Sequence, residues 1–325
     1  MAMRALVLGL LATLLLAGCG SSAGGEVPDG EATLLLDFQP NAVHSGIYLA
    51  TDRGFDEALG VELDVQVPSS SSDSVRLLLS GQADLAVLSI HDLAIAREQG
   101  RDLVGVMALV QRPLASVLAL PPIEDPRDLE GERVGVTGLP SDDAVARSVV
   151  QGAGGDPDRL RLTTIGFNAV PSLLAGNVAA ATAFWSVEGL ALRAKRPQAR
   201  EFRVDELGAP RYPELVVTVT RSTLDERPAL VQATTSALAR GYGEVLRDPE
   251  NAVSTLVDST EGLDREVAAA QLDALLPAFS LGTPRFGELD RERLGAWARW
   301  EAEFGIVKEP PNVALAFDER FAPEP

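Results

Sequence analysis

Short apolar runs rich in β-branched residues or leucine alternate with segments of helical period along the first two-thirds of the chain. Such runs, bounded by Gly, Pro or polar residues, predict strands, and the segments between them predict helices. The predicted helices include residues 74–79 and 92–99, each closed by a glycine, and 142–151, which follow Ser141 as an N-cap. The predicted strands are residues 33–37, 61–67, 83–88, 103–110, 116–120, 133–137, 160–165, 179–184 and 215–220.

The pattern changes after Arg221. Residues 224–257, 264–276 and 290–304 have helical period with no strand between them. Alternating strands and helices predict an α/β fold with largely parallel sheets, and the C-terminal third predicts a helical segment added to it.

Compositional breaks at Arg112-Pro113 and Thr220-Arg221 divide the chain into three parts. We expect residues 31–112 and 222–325 to form one lobe and residues 113–221 to form the other. The two chain crossings would then act as a hinge beside a cleft. Ligands of open α/β sheets bind at the carboxyl ends of the strands, so residues that follow strands are the candidates.

The N-terminus has the pattern of a secretion signal. Arg4 precedes an apolar run at residues 5–16, and Ala17 and Gly18 then lead to Cys19. This run is shorter than the roughly 20 residues of a membrane-spanning helix. Because Cys19 is the only cysteine, we expect residues 1–18 to be a lipoprotein signal peptide and Cys19 to carry the lipid. Residues 19–30 would be a flexible tether to the outer face of the cell membrane.

Composition favours binding over catalysis. The net charge of -19 argues against a nucleic-acid partner. The chain has two histidines and neither HExxH, GxSxG nor a GxxxxGK[ST] phosphate loop. We therefore expect no enzyme activity, no metal site and no cofactor.

A run from residue 34 onward, LLLDFQPNAVHSGIYLATDRGFDEALGVELDV, carries a family resemblance. Three further stretches agree with it in order: GQADLAVLSIHDLAIAREQG, VMALVQRPLASVLAL and LEGERVGVTGLPSDDA, and AATAFWSVEG follows. Over residues 34–221 the chain resembles the thiamine-pyrimidine-precursor-binding proteins of ABC importers, a family that also includes fungal thiamine-pyrimidine synthases. The family's tryptophan after Leu-Asp is Phe38 here, and its asparagine after Trp is Ser186.

The resemblance implies a monomeric receptor of the periplasmic-binding-protein type, with two α/β lobes joined by a two-crossing hinge. Such a receptor closes on a small heteroaromatic nutrient and delivers it to a permease with its ATPase. Within the same receptor class, riboflavin, an alkanesulfonate or nitrate are alternative ligands. An enzyme of the synthase type is the alternative from another class, and the absence of the fungal cysteine motif disfavours it.

Three aromatic residues are candidates for stacking on a flat ligand. Phe38 and Trp185 follow strands and are expected to face the pocket, with a place in the core as the alternative for each. Tyr48 lies on the apolar side of a helix and is equally compatible with the core. Trp297 and Trp300 are interpreted as core residues.

Glu188 is the leading polar candidate, because a carboxylate can accept hydrogen bonds from the amine of an aminopyrimidine. The alternative is an acidic residue favoured by the start of a helix. Asp37, Asn41 and His44 follow the first strand and are candidates for hydrogen bonds to the ligand. The alternatives are that Asn41 merely turns the chain and that His44 merely caps a helix.

The remaining candidates are His91, Ser141 and Tyr212. His91 follows the third predicted strand and is as compatible with a capping or surface role as with the cleft. Ser141 is a helix N-cap whose neighbouring N–H groups could reach a ligand. Tyr212, near the return crossing, could line the cleft.

Overall fold

The computed structural model describes residues 30–69, 71–281 and 285–322. The predicted signal peptide, Cys19 and the tether up to Asp29 lie outside the described residues. No helix of the described part is long and apolar enough to cross a membrane.

Within the described residues, ten strands form two five-stranded sheets. They are β1 (Gly30–Leu35), β2 (Val61–Gln66), β3 (Leu85–Ser89), β4 (Leu103–Ala108), β5 (Ala115–Ala119), β6 (Arg133–Val136), β7 (Arg161–Thr164), β8 (Ala180–Phe184), β9 (Arg200–Arg203) and β10 (Leu215–Thr220). The first sheet has the order β2-β1-β3-β10-β4, and the second has the order β7-β6-β8-β5-β9. The nine predicted strands are confirmed. β9 was missed because only Phe202 of its four residues is buried and the others are polar.

The prediction of largely parallel sheets is wrong. β1 pairs in parallel with β2 and β3, and β6 pairs in parallel with β7 and β8. β10 is antiparallel to both its neighbours, and so is β5. These two strands enter their sheets from the other lobe without a preceding α-helix, β5 straight after β4 and β10 after a 3₁₀ turn at Val204–Glu206. A parallel partner normally needs a long crossover connection, so a direct entry yields an antiparallel strand.

The second lobe boundary is also corrected. Because β10 pairs with β3 and β4, residues 215–220 belong to the first lobe and not to residues 113–221. The compositional break at Thr220-Arg221 marks the end of β10 and the start of a helix, since the Thr220 side chain caps that helix. The return crossing lies between β9 and β10.

The helices are α1 (Ser45–Asp52), α2 (Ser71–Leu79), α3 (Ile90–Glu98), α4 (Pro140–Gly152), α5 (Ala169–Leu174), α6 (Leu190–Lys195), α7 (Arg221–Glu226), α8 (Pro228–Arg247), α9 (Pro249–Asp258), α10 (Arg265–Phe279), α11 (Arg291–Glu303) and α12 (Val313–Ala316). The predicted helix over residues 224–257 is three helices, α7 to α9. Pro228 and Pro249 each begin a new helix, because proline lacks an N–H and is tolerated only in the first turn.

The C-terminal helices cover both faces of the first sheet. α8 packs on α1 so closely that a Cβ added at Gly241 would lie 2.0 Å from the Gly46 carbonyl oxygen. α12 packs on α3 and β4, and α11 packs on α12. α11 also reaches the second lobe, where the Trp300 indole N–H donates to Ser148 Oγ of α4 at 3.1 Å. Trp297 and Trp300 are buried, which confirms their interpretation as core residues.

The two chain crossings are hydrogen-bonded to each other. The Leu109 N–H donates to the Leu215 carbonyl at 2.8 Å, and the Glu214 N–H donates to the Val110 carbonyl at 3.2 Å. The Glu214 carboxylate in turn accepts the Leu114 N–H at 2.8 Å. The crossings therefore form one joint between the lobes, with Glu214 at its centre.

Candidate functional site

A cleft lies where the carboxyl ends of strands from both sheets meet the joint. Its volume is about 1010 Å³, including the part that opens to solvent. The first lobe contributes residues that follow β1 and β3, and the second lobe contributes residues that follow β6, β7 and β8. Parallel strands bring these ends to one edge of each sheet.

Five of the ten predicted site residues line this cleft. They are Asp37, Phe38, His91, Ser141 and Glu188. Asn41 lines a smaller adjoining cavity, where its side-chain oxygen accepts the Val43 N–H and caps a short 3₁₀ turn. The turn-forming interpretation of Asn41 therefore describes its contacts best.

The prediction that Trp185 faces the pocket is wrong. Trp185 is 1% exposed, and its indole N–H donates to the Pro113 carbonyl at 2.9 Å. The guanidinium of Arg203 lies 4.1 Å from the centroid of its ring. A π-helical turn, Trp185–Gly189, begins immediately after β8. It places the indole beneath the first chain crossing, which contains Pro113, while Glu188 lines the cleft.

Tyr48 and Tyr212 do not line the cleft either. Tyr48 is partly buried and packs against the core of the first lobe, in keeping with its core interpretation. Tyr212 is fully buried, so its predicted place in the cleft wall is wrong. Its hydroxyl lies 3.3 Å from His91 Nε2, behind that wall.

His44 does not line the cleft, so its prediction as a ligand-binding residue is wrong, and it supports the cleft from behind. It is fully buried, and its Nδ1 accepts the Asn41 N–H at 3.2 Å. Its Nε2 therefore carries the proton and donates to Asp37 Oδ1 at 2.8 Å. His44 is a positioning residue that fixes the Asp37 carboxylate at the cleft.

His91 is buried at the base of the cleft and has no surface role. Its Nδ1 contacts the carboxylate of Glu301 on α11, and its Nε2 lies 3.9 Å from Glu214 Oε1. Burial lowers the pKa of His91, but the nearby carboxylates, Glu301 first and then Glu214 and Asp92, together more than offset this and raise the pKa to about 9. The imidazole is therefore charged at neutral pH, and both its nitrogens already face protein groups.

The polar wall of the cleft is dominated by carboxylates. Sequence reasoning found Asp37 and Glu188 but missed Asp92, Asp142 and Glu214. Burial raises the pKa of Asp92 to about 6 and also raises the pKa of Asp142, Glu188 and Glu214. Asp92 and Asp142 stand in the first turns of α3 and α4, where an acidic residue is ordinarily explained by the helix dipole.

Phenylalanines, and not Trp185, supply the aromatic faces. Phe38 of the first lobe and Phe167 of the second approach across the cleft, with ring centroids 5.5 Å apart and planes tilted by 45°. They are 36% and 59% exposed, and Phe184 lines the cleft beside them. Exposed aromatic rings at a cleft are suited to stacking on a flat ligand. Phe167 was missed because it lies in a loop without periodicity.

No group of three or more His, Cys, Asp or Glu residues in the described ranges is arranged to hold a metal ion. The acids of the cleft are spread over both lobes, and His91 already contacts protein carboxylates. Hydrogen bonding and stacking are the chemistry that this lining offers to a ligand.

Comparison with known proteins gives the family. The model of the NMT1/THI5-like family matches residues 41–252, which is more than half of the chain. The chain belongs to the NMT1/THI5-like family. A formylaminopyrimidine-binding protein from Halalkalibacterium halodurans is 29% identical over 316 residues, 95% of this chain and 96% of that relative. The 4-amino-5-hydroxymethyl-2-methylpyrimidine phosphate synthase THI12 of Saccharomyces cerevisiae is 24% identical over 262 residues, 76% of each chain.

Solved structures place this NMT1/THI5-like chain in the periplasmic-binding-protein fold, as predicted. The alkanesulfonate-binding protein SsuA from Xanthomonas axonopodis, bound to MOPS, superposes with a TM-score of 0.72 at 18% identity. The superposition covers 90% of this chain and all, 100%, of that chain. At this identity the likeness concerns the fold alone.

The His91–Glu301 contact can be tested by titration. Glu301→Gln should lower the pKa of His91 from about 9 towards its ordinary value near 6.5, because burial is then opposed only by the weaker effects of Glu214 and Asp92. Loss of one partner of a buried ion pair should also cost about 3–5 kcal/mol of stability. NMR of the two imidazoles, His44 and His91, measures the pKa directly.

The exposed Glu303→Gln on the same helix is the matched control and should leave the His91 titration unchanged. Because the folded pKa of His91 is raised, its stabilising contribution should be complete below about pH 6.5 and disappear as pH rises through about 9. An unchanged His91 titration in Glu301→Gln would contradict the pairing.

Proposed function

We propose that this protein is the substrate-binding component of an ABC importer and captures an aminopyrimidine, a thiamine pyrimidine precursor or a close analogue, between its two lobes. It would pass the ligand to a permease and would not itself be an enzyme. The carboxylate-lined cleft with exposed phenylalanines is the observation that carries this proposal. The binding protein from H. halodurans, whose name states a formylaminopyrimidine ligand, supports it.

The polarity of the lining favours an amine donor over an anion. Carboxylates only accept hydrogen bonds when ionised, and an aminopyrimidine offers an exocyclic amine and, when protonated, a second donor in the ring. Glu188 in the second lobe has one oxygen 3.2 Å from the Phe184 N–H and remains at the cleft. A sulfonate or nitrate would be repelled by the same wall. A flavin is the alternative in which Glu188 has no direct role.

We also propose that the protein is a lipoprotein outside the cytoplasmic membrane. The apolar run before Cys19 and the absence of a second cysteine in the sequence support this location. A receptor held by acyl chains stays close to its permease without a spanning helix.

Substitution of Glu188 by Gln should weaken aminopyrimidine binding by about tenfold or more. The amide retains the size of the side chain but loses the charge, and its NH₂ would face the ligand's amine. Isothermal titration calorimetry with a 4-aminopyrimidine measures the change. Glu132→Gln, an exposed residue of the second lobe, is the control and should bind like the parent. Equal affinity in folded Glu188→Gln would direct the search to flavins.

Replacement of Cys19 by Ser should abolish lipid attachment, because no other thiol exists in the chain. The measurement is incorporation of labelled palmitate into the parent and the Cys19→Ser protein in cells. Labelling of the variant at the parent level would refute the lipoprotein assignment.

A further inference from the structure

Two helices, one in each lobe, contribute side chains to opposite sides of the cleft. α3 of the first lobe contributes Asp92, and α4 of the second lobe contributes Ser141 and Asp142. All three residues lie in the first turns of their helices. The relative placement of α3 and α4 therefore sets the spacing between the two halves of the site.

α11 connects these two helices behind the cleft through consecutive side chains. The Glu301 carboxylate contacts His91 Nδ1 of α3, and the Trp300 indole N–H donates to Ser148 Oγ of α4 at 3.1 Å. All four side chains are buried, so both contacts are shielded from water. One buried hydrophobic cluster contains residues of all three helices. α11 is therefore a third connection between the lobes, in addition to the two chain crossings.

The Ser148 end of this connection is fixed within the second lobe. A Cβ added at Gly208 would lie 2.4 Å from the Ser148 carbonyl oxygen, so the backbone of α4 rests directly on the segment that leads to the return crossing. Gly152, one turn later on α4, is as close to the Leu207 carbonyl oxygen, from which an added Cβ would lie 2.1 Å. α4 is therefore held as a rigid unit at the point where Trp300 contacts it.

The Trp300 end is fixed by aromatic contacts. Its ring centroid lies 5.8 Å from that of His91 and 5.7 Å from that of Tyr212, which belongs to the return crossing. Aromatic rings at these separations are in packing contact. A buried indole N–H that loses its acceptor is left with a desolvation penalty, so the bond to Ser148 should persist while the lobes move.

Two connections at different places restrict how the lobes can move. The joint at Glu214 is one, and the bond between Trp300 and Ser148 is the other. Because bodies held at two points rotate only about the line between them, closure without twist is the motion that remains. We propose that Trp300 and Glu301 are positioning residues, which hold α4 and α3 in register and thereby set the spacing between the two halves of the site. The inference rests on the proposed function only for the identity of the ligand.

Spin labels on the two lobes measure this register directly. In the full chain carrying Cys19→Ser, the exposed Ala58→Cys of the first lobe and Ala175→Cys of the second supply the only thiols. Without ligand, Trp300→Phe and Ser148→Ala should each broaden the distribution of label-to-label distances in double electron–electron resonance. Because both remove the same hydrogen bond, the double variant should broaden the distribution no further than either single one.

Trp297→Phe is the matched control. Trp297 is buried on the same helix, and its indole N–H has no hydrogen-bond partner among the described residues, so the same substitution removes no bond. It should lower the melting temperature but leave the distance distribution unchanged. Calorimetric titration with 4-amino-5-hydroxymethyl-2-methylpyrimidine should give roughly two- to tenfold weaker affinity in Trp300→Phe and Ser148→Ala, and parent affinity in Trp297→Phe.

The outcomes separate this inference from the proposed function. An unchanged distribution in Trp300→Phe and Ser148→Ala, or equal broadening in Trp297→Phe, overturns the positioning role. A broader distribution with parent affinity in Trp300→Phe also overturns it, because the register would then not matter to the site. Failure of the pyrimidine to bind the parent counts against the proposed function alone, since the label distances still decide the positioning. Ser148→Ala alters the other lobe, so the test remains decisive if Trp300→Phe does not fold.

Discussion

The hydrogen bond between the Leu114 N–H and the Glu214 carboxylate joins the two chain crossings, and the rest of the molecule is arranged around that joint. Each crossing continues directly into the antiparallel strand of the sheet that it enters, β5 in one lobe and β10 in the other. The same carboxylate lines the cleft, so the residue that connects the lobes also faces the ligand. A change in the relative position of the lobes would therefore also move a carboxylate of the site.

Much of the fold could be predicted because strand and helix periods are local properties of the sequence. β9 was missed because an edge strand with one buried residue has no apolar run, and the parallel prediction failed because strand direction depends on connections between lobes. For the same reason, the predicted boundary assigned β10 to the second lobe although it belongs to the first. Local pattern also identified the turns that follow β1, β3 and β8, where Asp37, His91 and Glu188 line the cleft.

The parts of the site that could not be predicted depend on tertiary contacts. A π-helical turn is not visible in the sequence, and it buries Trp185 while leaving Glu188 at the cleft. The partner of His91 is Glu301, 210 residues away along the chain. Its effect on the pKa of His91 arises only when α11 packs beside α3. Solved structures that share this fold include an alkanesulfonate-binding and a nitrate-binding protein, so the lining and not the fold must discriminate between ligands.

We propose that the two lobes close on a ligand around the joint at Glu214. A ligand that touches both lobes binds the closed arrangement preferentially and shifts the population towards it. Small-angle X-ray scattering of residues 20–325, with and without a saturating aminopyrimidine shown to bind by calorimetry, measures this directly. Closure should give the bound sample a smaller radius of gyration. An unchanged radius at saturation would contradict closure of the lobes on the ligand.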